Sequence, residues 1–137
     1  MVSLSNVKLE IFEKEPVPPG KAMIRVSYKI TGDPHDTEHE QAYHELVQLF
    51  GDDRSEGGPR RLIPGPDGII SDGVVVFTTS QVAFQRIWEK TINSNSLDED
   101  PDAPVPKEDE IGTLVTLTPI VTLESNIVKR GGIIIQP

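Results

Sequence analysis

All three histidines of this 137-residue chain fall within one short stretch, His35-Asp-Thr-Glu-His39-Glu-Gln-Ala-Tyr-His44. Imidazole nitrogens suit Zn²⁺ and Ni²⁺, and a neighbouring carboxylate such as Asp36 completes a ligand set. His35, His39 and His44 are therefore the first candidate metal ligands. An oxygen-rich cluster follows at Asp98, Glu99, Asp100 and Asp102, then at Glu108, Asp109 and Glu110. Ca²⁺ gathers about six to eight hard oxygens, often from loops at one end of a β-sandwich. Asp98, Asp100, Asp102 and Asp109 are the second candidate set. The plainer reading ranks ahead of both: a polar stretch that binds nothing, and an acidic loop kept soluble by self-repulsion.

Two short resemblances attach to these clusters. His35, Glu38 and His39 spell H-x-x-E-H, which resembles the inverted zinc-peptidase motif and would imply two histidines on zinc with Glu38 activating water. Pro34 would leave His35 at the very start of any helix, and the chain is far smaller than those enzymes, so a zinc hydrolase ranks third. Asp98-Glu-Asp-Pro-Asp-Ala-Pro104 is distantly similar to the acidic inter-domain linker of cadherins, without its asparagines. No nucleophile elbow, phosphate-cradling glycine loop or dinucleotide fingerprint occurs. The expectation is a protein without catalysis and without a resident cofactor, with Ca or Zn as the alternative.

Composition narrows the partners. Twenty-two acids against thirteen Lys and Arg give a formal charge of −9, which repels a phosphate backbone and argues against nucleic acid. There is no cysteine, so neither a disulfide framework nor a thiol nucleophile can operate. No apolar run approaches the ~20 residues of a membrane-spanning helix. The first fifteen residues carry acids and strand-like alternation where a secretory signal needs a basic start and an apolar run. The expected setting is the cytoplasm.

The elements that must position these groups read mainly as strands. Twelve prolines and eleven glycines punctuate the chain at intervals that suit many turns. Val7, Leu9 and Ile11 alternate, Glu15-Pro-Val-Pro-Pro-Gly20 turns the chain, and Ala22, Ile24, Val26, Tyr28 and Ile30 alternate again, as in an antiparallel hairpin. The spacing after Asp72-Gly73 predicts a strand over Val74–Thr79, buried on both faces because of its β-branched density. Ile111–Pro119 alternates clearly. Leu62 and Ile63 suggest a short edge strand, and Ile120–Leu123 and Asn126–Lys129 suggest further short ones.

Two segments fit either type. Ala42–Phe50 carries a helical face (Ala42, Tyr43, Leu46, Val47, Phe50) after a Thr37-x-x-Glu40 capping box, and local rules favour helix there. The stretch 81–92, with the only tryptophan, fits both periods; as a strand it sets Arg86 beside Phe84 and Trp88, where the guanidinium can stack on the indole. If both segments are strands, the fold is an immunoglobulin-like antiparallel β-sandwich of about seven strands in one domain, without the cysteine pair of antibody domains. If both are helices, near 38–50 and 81–92, it is α+β. Turn spacing over the whole chain favours the sandwich.

From this follows the expected function: a binding or structural interaction module with a protein partner or self-association, within a homo-oligomer or larger assembly. The apolar segment Asn126–Pro137, with Ile127, Val128 and Ile133 to Ile135, is expected first to close its own sheet, and as the second reading to add a strand to a neighbour.

Overall fold

A computed structural model describes residues 2–33, 41–52, 60–77, 82–97, 110–120 and 126–128. Among these residues lie seven strands: β1 (Ser3–Phe12), β2 (Lys21–Thr31), β3 (Ala42–Asp52), β4 (Arg60–Leu62), β5 (Ile69–Val76), β6 (Ala83–Asn93) and β7 (Ile111–Pro119). They form two antiparallel sheets. One has the order β1-β2-β6, and in the other β3 pairs with β4, β5 and β7. Since β7 runs along Tyr43 to Gly51 of β3, the partners β5 (Ala42 to Gln48) and β4 (Phe50 to Asp52) share the opposite flank. β1 lies over β7 and β6 over β5, so the sheets stack as a β-sandwich.

Strand β2 is the centre of its sheet, and its alternation is what the core is built on. Ala22, Ile24, Val26, Tyr28 and Ile30 are fully buried, facing Tyr43, Val47 and Leu49 of β3 within one apolar cluster. The β1–β2 hairpin is closed by the proline-rich turn, where the Val17 amide donates to the Lys14 carbonyl at 3.0 Å and the Lys21 amide to the Pro18 carbonyl at 3.1 Å. Gly20 takes φ +77° there, a left-handed conformation that glycine adopts without steric cost. β1 departs from regular pairing between Ser5 and Lys8, where Asn6 has φ 56°. The alternation therefore resets, and Val7 is exposed while Leu9 and Ile11 pack on the core.

The segment that local rules assign to a helix, Ala42–Phe50, is the middle strand of its sheet, and Ala83–Asn93 is a strand as well. The α+β alternative therefore does not hold over these residues. Long-range pairing outweighs helix propensity here: β3 finds partners on both flanks, and β6 pairs with all of β2 from Lys21 to Thr31. Gly51 continues the strand instead of stopping a helix.

A second expectation also changes. β5 begins at Ile69, crosses Asp72-Gly73 as strand, and buries only one face: Val75 is buried, whereas Val74 and Val76 are exposed. Its β-branched density suggested two covered faces, but an edge strand of an antiparallel sheet needs one. Short connections tie the sheets together. Lys90 donates to the carbonyls of Pro66 at 2.6 Å and Ile69 at 2.8 Å. Asp67 accepts from the Asn93 amide at 3.2 Å and the Ser96 hydroxyl at 2.7 Å. The hydroxyl bond chiefly holds the Asp67 carboxyl below its ordinary pKa.

Candidate interaction surface

The candidate metal ligands are placed only in part. His35, His39, Asp98, Asp100, Asp102 and Asp109 lie outside the described residues. His44 sits on the outer face of β3, its Nε2 paired with the Asp72 carboxylate of β5. Among the described residues no three His, Cys, Asp or Glu side chains converge as a metal site. The segment Asn126–Val128 is described and is not a strand.

The interior holds a polar cluster that no motif announces. Glu45 of β3 points into the sandwich and is 1% exposed. It receives Arg86 Nη2 on Oε1 at 2.5 Å and Nε on Oε2 at 3.1 Å, a bidentate pair that crosses from one sheet to the other. Tyr28 Oη donates to Glu45 Oε2 at 2.5 Å and accepts from Trp88 Nε1 at 2.8 Å. The Arg86 guanidinium lies 5.0 Å from the Trp88 ring centroid, so the stacking expected from their shared face is present.

Burial, then the hydrogen bond to Glu45, drives the Tyr28 hydroxyl well above the usual tyrosine range, and the bond to Glu45 raises Arg86. Both Glu45 oxygens are engaged from inside the fold. Such a cluster fixes the register between sheets; it offers no accessible acid or base to a substrate.

The β1–β2 turn overhangs a cavity of about 550 Å³, whose lining includes Ile11, Phe12, Pro16, Val17, Met23 and Arg25. Its volume suits a small ligand. Arg25 is already engaged, 5.0 Å from the Phe12 ring centroid and 3.2 Å from Glu89 Oε1. Glu13, Lys14 and Glu15 also line it, so its apolar wall carries a charged rim.

The outer faces of the two sheets differ in kind. Outward positions of β2 and β6 include Arg25, Ser27, Lys29, Gln85 and Glu89, with Ile87 as a single exposed apolar side chain among them. On the other sheet Leu62, Ile69, Val74 and Val76 stand exposed, Val74 to 58%, around half-buried Leu46 and Leu114. The strand periodicity that buries Val75 is what turns Val74 and Val76 outward. The His44–Asp72 pair is set within this apolar face, next to Val74 and Leu46 in the strand register. Sequence reasoning missed the face, because the valine run reads equally as buried core. Comparison with family models, with curated proteins and with solved structures finds no match for this chain.

Proposed function

We propose that this chain is a non-catalytic β-sandwich interaction module that works within a homo-oligomer or larger assembly, docking protein through its four-stranded sheet. The observation that carries the reading is the apolar outer face made by Leu62, Ile69, Val74 and Val76. One face of an antiparallel sheet normally meets water with polar residues, so several exposed large apolar side chains on it, here set around the His44–Asp72 pair, favour a surface that something covers. The strand pairings favour an immunoglobulin-like arrangement: β1-β2-β6 match strands A-B-E and β3-β7 match C-F. Arg86 and Tyr28, both perturbed, are engaged with buried Glu45, which favours a structural role for them. Among the described residues no helix is long and apolar enough to cross a membrane. The net charge of −9 disfavours nucleic acid as the partner, and a cytoplasmic setting belongs to the same reading.

Light scattering behind a sizing column tests it, with the V74K/V76K double variant beside the unaltered chain. The unaltered chain is expected above 15.1 kDa. The double variant is expected to shift toward the monomer if the face is the joint, with its circular dichroism spectrum unchanged. A chain that stays at 15.1 kDa over the whole accessible concentration range defeats the homo-oligomer reading.

A further inference from the structure

The two sides of the sandwich close unequally. On the β5/β6 side, Ile70, Val75, Phe77 and Ile92 are buried, with Phe84 and Trp88 of β6 half-buried beside them. On the β1/β7 side every inward apolar residue, among them Leu4, Leu9 and Ile11 of β1 and Ile111, Val115 and Leu117 of β7, is only half-buried. A seam of core side chains therefore remains open to solvent along β7.

The backbone of β7 is arranged to match. The Ile120 amide donates to the Ala42 carbonyl at 2.9 Å, which makes Ala42 and Ile120 a hydrogen-bonded pair. Bonded and non-bonded pairs alternate along an antiparallel ladder, so Thr118, Thr116 and Leu114 bond to β3. Thr113, Val115 and Leu117 then direct their N–H and C=O groups away from β3, and among the described residues no strand pairs with that edge. The other outer strands carry the usual protection: an irregular pairing with Lys8 and Glu10 on β1, Arg60 and Arg61 on β4, Asp72 on β5, Glu89 and Lys90 on β6. Ile111–Pro119 alone has no charged residue.

We propose that a second copy of this chain fills the seam, its segment Asn126–Pro137 adding as a strand along the free edge of β7. The proposal rests on the interaction-module reading and names its partner. Three observations select this occupant. Within one copy, Ile127 is 92% and Val128 77% exposed, so the chain's own seam does not take up these side chains. The segment's sequence supplies the apolar runs Ile127-Val128 and Ile133-Ile-Ile135, suited to the half-buried row of β7. Charge also complements: the segment carries Lys129 and Arg130 and no acid, a formal +2, leaving −11 on the remainder of a chain whose total is −9.

The test compares three forms by light scattering and circular dichroism: the full chain, a chain ending at Ser125, and L117K. In the last, a lysine that reaches solvent from an open seam is trapped under an added strand. The full chain is expected at no less than twice 15.1 kDa, with both altered forms at a lower mass than the full chain and with strand spectra retained. A synthetic peptide of residues 126–137 is expected to bind the chain ending at Ser125 and not L117K.

An assembly whose mass truncation leaves unchanged overturns strand exchange while leaving the module reading intact, the more so if V74K/V76K abolishes it. A monomeric full chain overturns both. A monomeric full chain whose truncated form still binds the peptide assigns the seam to the chain's own segment, and that outcome also overturns the proposal.

Discussion

Arg86→Met tests whether the interior cluster fixes one sheet against the other. The substitution keeps an unbranched side chain over Trp88 but removes both donors that Glu45 receives from the opposite sheet, at 2.5 and 3.1 Å. Glu45, 1% exposed, is left with the Tyr28 hydroxyl as its remaining partner in the cluster. Breaking a buried ion pair by deleting one member costs about 3–5 kcal/mol, because the surviving charge stays desolvated. That is a large share of the ~5–15 kcal/mol by which a domain is stable.

Adding Glu45→Gln neutralises the survivor. The amide carbonyl can still accept from Tyr28, and what remains is one poorly satisfied NH₂ group, worth about 1–3 kcal/mol. The double variant should therefore be more stable than Arg86→Met alone, by at least ~1 kcal/mol. Urea unfolding followed by the fluorescence of Trp88, the only tryptophan, reads both numbers. A loss below ~1 kcal/mol for Arg86→Met, or a double variant less stable than the single, refutes the claim that Glu45 depends on Arg86.

Other perturbations follow from the same packing. A Cβ at Gly68 would lie 1.9 Å from the Ile63 carbonyl oxygen, whereas one at Gly73 meets nothing within 4 Å. Gly68→Ala should cost ~2 kcal/mol or more, and Gly73→Ala should be neutral or stabilising by up to ~1 kcal/mol, as read by thermal melts. The folded-state pKa of Tyr28 is raised, so its contribution is complete below the ordinary tyrosine value of about 10 and is lost as pH climbs beyond it. Alkaline unfolding of Tyr28→Phe should accordingly lack part of the wild-type pH dependence. Asp67 has the opposite sign: its folded pKa is lowered, so its contribution is present above about pH 4 and fades as pH falls below. Asp67→Asn should flatten the acid limb of the stability profile, and an unchanged limb would deny Asp67 that role.

The sandwich was legible wherever inward positions are uniformly apolar. Ala22 to Ile30 of β2 is the clearest case, since each of its five alternate residues is fully buried. β3 and β6 were ambiguous for a specific reason: their inward rows contain Glu45 and Arg86, and a charge in the middle of each row spoils period two. The two exceptions explain one another across 41 positions of sequence, a relation no local window contains. The exposure of Val74 and Val76 was illegible for a different reason. Whether a strand lies at an edge is a property of its partners, and IISDGVVV alone cannot state it. Of the candidate site, the stacking of Arg86 on Trp88 was legible from residue types, whereas the exposure of Ile127 and Val128 was not, because that apolar run reads first as a strand of its own sheet. The open seam beside β7 needed the pairing register.

The central place of β3 also has a consequence for synthesis. Gln48 of β3 receives the Thr113 hydroxyl from β7, 65 residues later in the chain. At a ribosomal rate of about 5–20 residues per second, roughly 3–13 s separate the appearance of these two residues. Throughout that interval one flank of β3 has no β7 to pair with, while Leu46, Val47 and Leu49 are already present to associate with whatever they meet. Such non-local pairing folds slowly, on a scale of about milliseconds to seconds even for a complete chain. β3, like β2 awaiting β6, is thus a segment of the nascent protein with a long exposure to misassociation, and one for which binding by a chaperone during translation would change the yield.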